Sequence, residues 1–301
     1  MTSPVTLSAR LPQVFTLTGN LLAERTFEFD SWTPGRTQRA KRAGFQVGGK
    51  GINVAKMLTR LHVPNTALAF VGGAPGAECA AWLEQHGFSY HAFPTDAPTR
   101  SGLVIRDGSG QIGETTMLGP DVVPDAAAIL ACANYLDARP DGQMLALCGS
   151  FPGWSTLAFA PLRASLDRWL QRGVLVADTY GPPLAWAAAQ PLALVKINAD
   201  ELRSLPGGAT ETLPENIQHW IITDGGGPVR FRTRGGPIQT EVPPAIREVS
   251  PTGSGDVLFA AVIAALFGRG KSLGEAIRFA IPYAAANAAH PGVAEFPLPL
   301  T

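Results

Sequence analysis

LALCGSFPGWSTLAFAPLRASLDRWLQRGVLVAD, residues 145–178, contains a complete strand–helix–strand unit. Leu145 to Cys148 is a short apolar run that stops at Gly149-Ser150. Residues 157–171 carry helical spacing, and Val174 to Ala177 is a second apolar run, ending at Asp178. Runs this short, without polar alternation, read as strands buried on both faces, and a helix between them makes the pair parallel. The pattern recurs along the chain. Strands are expected at residues 14–18, 67–71, 193–197 and 220–223; helices are expected at residues 52–61, 77–86, from about 199, 253–267 and 273–289. Such repetition predicts an α/β fold of three layers, α/β/α, around a mostly parallel sheet. In sheets of this kind the chemistry collects at the carboxyl ends of the strands. Here those ends carry Asn20, Gly72, Gly149, Asp178, Asn198, Asp224 and the loop before Gly253.

Two stretches depart from the alternation. Residues 27–46 and 100–117 read as short strands with polar and glycine turns and no helix, which suits a small antiparallel sheet lying over the active-site end as a lid. The expectation is one domain, residues 1–301, with lid insertions at about 22–46 and 98–119.

Composition narrows the function classes. Apolar residues make up 46% and charged residues 16%, a packed globular balance. A formal net charge of zero provides no long-range field for nucleic acid or an anionic membrane. The three cysteines, Cys79, Cys132 and Cys148, form no C-x-x-C pair, so a reducing cytoplasm is expected rather than a disulfide framework. No signal peptide is expected at the N-terminus, and no apolar run reaches the ~18 residues of a membrane span. None of the five histidines has transition-metal spacing, so surface and packing roles are expected of them.

Chemistry is concentrated in two glycine motifs. Ser250-Pro251-Thr252-Gly253-Ser254-Gly255-Asp256 precedes the apolar run VLFAAVIAAL. Gly253 and Gly255 allow a tight turn whose N–H groups, joined by those of the helix start, form an anion cradle. Asp256 at its rim could take a proton from an attacking hydroxyl. The plainer alternative is a glycine turn with a capping aspartate. The second motif, Val47-Gly48-Gly49-Lys50-Gly51-Ile52-Asn53-Val54-Ala55-Lys56, also leads into a helix. It has neither the Walker spacing nor G-x-G-x-x-G. Asn53 offers a donor and an acceptor to a sugar hydroxyl.

Taken together, GGKGINVAK and the later GSGD resemble the paired signatures of the PfkB group of ribokinase-like carbohydrate kinases, in particular the branch of 1-phosphofructokinase, 6-phosphofructokinase-2 and tagatose-6-phosphate kinase. TLTGNLLAERT from Thr16 is similar to that branch's TLTPNPALDRT, LCGSFPG from Leu147 to LSGSLPPG, VADTYG from Val176 to VLDTSG and VKINADEL from Val195 to VKPNREEL. The resemblance implies a ribokinase-like fold, ATP and Mg2+ as cofactors, and a role for each matched residue. Asp256 would be the catalytic base, with Gly253, Ser254 and Gly255 as the anion hole. Glu24, Gly48, Gly49, Lys50, Asn53 and Arg100 would hold the sugar, Arg100 on its phosphate. Asn198, Glu201, Thr223, Gly225 and Asn287 would serve the nucleotide, with Glu201 reaching the metal through water. A homodimer through the lid is implied as well.

Departures fall mostly on the sugar side. Glu24 stands where the branch has Asp, Gly19 and Leu21 replace two prolines, and Thr116-Met117 replace an Asn-Glu pair. Pro251 and Ser254 replace Thr and Ala. The expected reaction is transfer of the ATP γ-phosphate to a phosphorylated ketohexose, with fructose 1-phosphate favoured. The alternatives are a kinase for an unphosphorylated sugar or nucleoside and a non-catalytic sugar- or nucleotide-binding paralogue.

Overall fold

Side-chain alternation along the central strands sets the layering. In residues 144–148, Met144, Ala146 and Cys148 point into one apolar cluster while Leu145 and Leu147 point into another. Val176 likewise faces the first and Leu175 and Ala177 the second. A strand apolar on both sides needs cover on both sides, and helices supply it.

The computed structural model describes residues 12–110 and 112–298. In chain order the elements are β1 (Val14–Thr18), β2 (Leu22–Phe29), β3 (Arg42–Gly48), α1 (Lys50–Arg60), β4 (Asn65–Val71), α2 (Gly73–Gln85), β5 (Tyr90–Pro94), β6 (Arg100–Asp107), β7 (Thr115–Leu118) and α3 (Ala126–Asp137). The second half runs β8 (Met144–Gly149), α4 (Ala160–Arg172), β9 (Val174–Thr179), α5 (Pro182–Ala188), β10 (Leu194–Asn198), α6 (Ala199–Arg203), β11 (His219–Thr223), β12 (Val229–Thr233), β13 (Gln239–Glu241), α7 (Ser254–Leu266) and α8 (Leu273–Ala288).

Nine strands form the main sheet in the order β13-β12-β11-β10-β9-β8-β1-β4-β5. Pairing is parallel from β11 through β5, and β12 and β13 add an antiparallel edge. From β1 the chain builds outward through β4 and β5 on one side, whereas β8 to β11 build outward on the other. The order therefore reverses between β1 and β8, and a crevice opens at the carboxyl ends of such neighbours. Thr18 is in register with Cys148 there.

The second sheet has four strands, β3-β2-β6-β7, drawn from the two stretches without helical pattern. It is mixed rather than purely antiparallel, because β2 pairs with β6 in parallel from Leu22↔Arg100 to Phe29↔Asp107. Each strand leaves the core at one end, which places Glu24, Gly48 and Arg100 at the base of the lid and Arg106 toward its tip.

The sequence expectation holds for the three layers and the parallel core. It omitted α3, α5, β5, β12 and β13. Among the described residues no helix is long and apolar enough to cross a membrane.

Candidate active site

The two glycine motifs meet at the crevice. Gly49 caps α1 with φ 125°, and a Cβ there would lie 2.8 Å from Thr18 Cγ2. Only glycine lets the helix start rest on the end of β1 this way. α7 begins after Gly253, at φ 75°, and its first turn carries Asp256. Asp256 does not cap its own helix. Its Oδ2 accepts a hydrogen bond of 2.8 Å from Asn53 Nδ2, between residues 203 positions apart in the chain. Asn53 and Asp256 retain 8% and 6% of their surface, so the carboxylate is nearly but not wholly enclosed.

Beneath them lies a chain of charge. Asp178, fully buried at the end of β9, accepts 2.6 Å from Lys50 Nζ and 3.0 Å from Lys196 Nζ. Lys50 also lies 3.6 Å from Glu201 Oε1. Lys196 in turn occupies the space beside Gly255, where a Cβ would sit 2.6 Å from its Nζ. Burial disfavours the charge on Asp178, but Lys196 and Lys50 outweigh it and hold the carboxyl below its usual range. Burial also works against Lys50, and the carboxylates of Asp178, Asp256 and Glu201 keep its ammonium well above the ordinary lysine value. At Asp256 burial wins over Lys50 and pushes the carboxyl up to about 6. Adjacent carboxylates with pKa values driven apart in this way are suited to different tasks.

The remaining site residues expected from sequence are disposed as follows. Glu24 is buried at 6% exposure, and its Oε1 accepts a short bond from Gln46 Nε2, while Gln46 Oε1 accepts from Lys56 Nζ at 3.1 Å. Its other oxygen faces Gly48, 3.2 Å from where a Cβ would stand. Arg100 reaches Asp121 Oδ1 at 3.1 Å and the Asn20 carbonyl at 3.3 Å, and its buried Nε has no partner. Asn198 and Glu201 form a reciprocal capping box on α6, with bonds of 2.8 and 2.7 Å. Thr223 and Gly225 line a cavity of about 350 Å³ that also touches Ser254 and Gly255. Asn287 is 1% exposed, and its bonds go to the Thr252 carbonyl, Ser254 Oγ and Ala294 N, so it braces the glycine loop from behind.

Four residues outside that set contribute: Asp178, which the sequence marked only as the end of a strand, and Lys196, Asp121 and Glu114. Glu114 accepts from Thr252 Oγ1 at 2.9 Å, Ser250 Oγ at 3.1 Å and Arg106 Nε at 3.1 Å, which ties the lid to the loop before Gly253. A lysine inside the apolar strand Leu194–Asn198 was the one local signal, since a buried ammonium demands a carboxylate. Trp154 and Cys148, near the end of β8, do not join the site chemically. Trp154 packs against Phe151, Phe159 and Trp186, and burial holds the Cys148 thiol well above its usual pKa.

Comparison with known proteins bears on the family and the fold. Residues 21–300 match the model of the pfkB family carbohydrate kinases. The chain is 29% identical to a 1-phosphofructokinase of Xanthomonas campestris over 289 residues, covering 90% of this chain and 89% of that protein. Its fold is similar to that of Escherichia coli phosphofructokinase-2 solved with fructose-6-phosphate, with a TM-score of 0.80 at 22% identity over 92% of this chain and 94% of that one. Ribokinase from Thermotoga maritima superposes with a TM-score of 0.68 at 19% identity over 95% and 96% of the two chains. With the match running from the first lid strand to the end of the described chain, this protein belongs to the pfkB family of carbohydrate kinases.

Proposed function

We infer that the chain transfers the γ-phosphate of ATP to a hydroxyl of a phosphorylated ketohexose, with fructose 1-phosphate the favoured acceptor. The observation that carries this reading is the 2.8 Å contact between Asn53 and Asp256, which joins the sugar-side and phosphate-side motifs at one point. Asn53 and Glu24 orient the acceptor, and Asp256 receives its hydroxyl proton as the new O–P bond forms. The bond from phosphorus to the β-phosphate oxygen breaks, and ADP leaves. Backbone N–H groups at Gly253 and Gly255 and the start of α7 would meet the charge carried on the transferring group, whereas the Ser254 N–H is donated to the Pro251 carbonyl at 3.2 Å and would have to turn away from it to join them. Lys50 and Lys196, held by Asp178, add positive charge on the same side.

The cavity beside Thr223 and Gly225, about 350 Å³ and mostly apolar in its side chains, suits the nucleotide base and ribose. Magnesium would neutralise charge on the phosphates, and Glu201, whose Oε2 accepts from Asn198 N and whose Oε1 lies 3.6 Å from Lys50 Nζ, would hold it through water. Among the described residues no three metal-binding side chains cluster. Magnesium keeps several waters and takes few protein oxygens, so its remaining ligands would come from the ATP phosphates. A cytoplasmic setting agrees with three cysteines that are all buried and unpaired. The lid supports a homodimer, since its edge strand β7 exposes Met117 and Leu118 at 47% and 56%; sedimentation velocity reads that state directly.

One observation favours a second reading. Asp121 already neutralises Arg100, the cation expected to hold the sugar phosphate, so an unphosphorylated sugar would lose less by binding there. A coupled ADP-release assay across fructose 1-phosphate, fructose 6-phosphate, tagatose 6-phosphate, ribose, fructose and adenosine separates the two. The first reading expects turnover of a sugar phosphate, lost on Asp256→Asn and lowered by about tenfold or more in kcat/KM on Arg100→Ala. Turnover confined to unphosphorylated acceptors and indifferent to Arg100→Ala would reject it.

A further inference from the structure

A groove of about 530 Å³ lies between the lid strand β3 and helices α1 and α2, apart from the Asp256 crevice. Asp256, Asn53 and Arg100 do not line it. Four cations do: Arg42, Lys56, Arg60 and Arg106. Their partners matter more than their number. Lys56 is 8% exposed, and its ammonium has one neutral acceptor, the Gln46 amide oxygen at 3.1 Å, with the Trp82 ring centroid 5.0 Å away. Among the described residues no carboxylate pairs with it. Arg60, one turn further along α1, spends its guanidinium on the carbonyls of Ala294 and Phe296, which are neutral too. Arg42, exposed on the rim, makes no ion pair among the described residues. Only Arg106 is neutralised, by Glu114 and Glu28.

Glu28 and Glu295 also line the groove. Glu28 is taken up by Arg106, and Glu295 helps Lys56 and Arg60 only from a distance: burial lowers the pKa of both cations despite it. A buried ammonium with one neutral hydrogen bond is costly unless an anion completes it. Phe45, Trp82 and Phe88 add apolar surface to the same groove, Trp82 lying beside the Lys56 ammonium and stacked on His86.

We propose that this groove is a second ligand site, for a small phosphate monoester carrying an apolar or flat body. A dianion matches the unneutralised cations, whose ammonium and guanidinium groups suit phosphate oxygens. The volume exceeds that of inorganic phosphate, and the aromatic wall takes the organic remainder. The site also reaches the sugar end. Gln46 holds Lys56 with its oxygen and Glu24 with its nitrogen, so an anion that draws Lys56 toward itself loosens the Gln46 brace on Glu24. That coupling, unlike the binding, rests on the sugar-kinase reading.

The test is calorimetric titration of the full chain with phenyl phosphate while a non-hydrolysable ATP analogue and magnesium are present in excess. One binding site is expected, about tenfold weaker in Lys56→Met, severalfold weaker in Arg42→Ser and unchanged in Arg100→Ala. Arg42 is exposed, so its variant keeps the test open should Lys56→Met fail to fold. The proposal is overturned if phenyl phosphate does not bind, if benzyl alcohol binds equally well, if both groove variants bind as the parent does, or if Arg100→Ala abolishes binding. Because the readout is binding and not turnover, an inactive chain that still titrates this way keeps the groove and loses only the kinase reading.

Discussion

Asp256 holds its charge where burial opposes it. Its carboxyl is pushed from 3.8 up to about 6, so between those values the folded chain keeps a proton that the unfolded chain has lost. Ionisation of this group therefore weighs against the fold. The penalty is fully present above about pH 6 and vanishes below the ordinary carboxylate value. Asp256→Asn should abolish phosphoryl transfer and raise Tm at pH 8 by roughly 2–5 °C, with the gain fading toward pH 4. Thermal denaturation at both pH values reads this, and an equal or negative change at pH 8 would refute it. In the parent, kcat/KM should fall about tenfold per pH unit below about 6, because the base must be ionised to accept a proton. Asp256 and Asn53 were legible in the sequence because glycines mark helix starts where a ligand can approach the backbone. The Lys50–Asp178–Lys196 chain was not, since its members lie 128 and 18 positions apart on three elements and only the fold brings them into contact.

Between elements, the decisive join is the one from lid to glycine loop. Glu114 ends the connection between β6 and β7, its side chain is 7% exposed, and it accepts from both hydroxyls of the loop at Ser250 and Thr252. Arg106 fixes the other oxygen of Glu114 and reaches the Pro291 carbonyl. One carboxylate thus joins the lid to the loop before Gly253. Glu114→Gln keeps the shape but removes the charge that two hydroxyls and a guanidinium share. Expected are a kcat lower by about tenfold, little change in KM for ATP, and a higher ratio of ATP hydrolysis to sugar phosphorylation, because a loosely held lid admits water. An unchanged ratio with an unchanged kcat would remove Glu114 from the reaction. Legibility at this scale followed periodicity. α1 and α7 stood out by their glycine starts, and the parallel strands by their apolar runs. α3, with sequence AAAILACANYLD, is apolar nearly all round and displays no stripe, and β12 alternates apolar residues with Arg230 and Arg232, the pattern of a strand buried on one face, and so did not match the unbroken apolar runs that marked the parallel strands.

At the scale of the molecule, the site is a crevice between two bodies of unequal firmness. The main sheet is buried on both faces, and its central strands β8 and β9 are enclosed at nearly every residue. The four-stranded lid has intermediate or exposed residues over most of its length, and its tip meets the core through polar contacts such as Arg106 to Pro291 and Glu114 to Thr252. Glu24, on the lid strand β2, and Asp256, on the core helix α7, are both more than nine-tenths enclosed, so a sugar is expected to reach them when the lid lifts. Few apolar contacts and many exposed backbone bonds make a unit that opens below the global unfolding free energy. Amide hydrogen exchange should therefore be faster in β2, β3, β6 and β7 than in β8 and β9, and a bound acceptor sugar together with an ATP analogue should slow it in the lid by tenfold or more, because closure then becomes the populated state. Exchange of the lid amides at the same rate as the core strands, with or without ligands, would mean that the lid does not open as a separate unit, and another route for the sugar to Asp256 would have to exist.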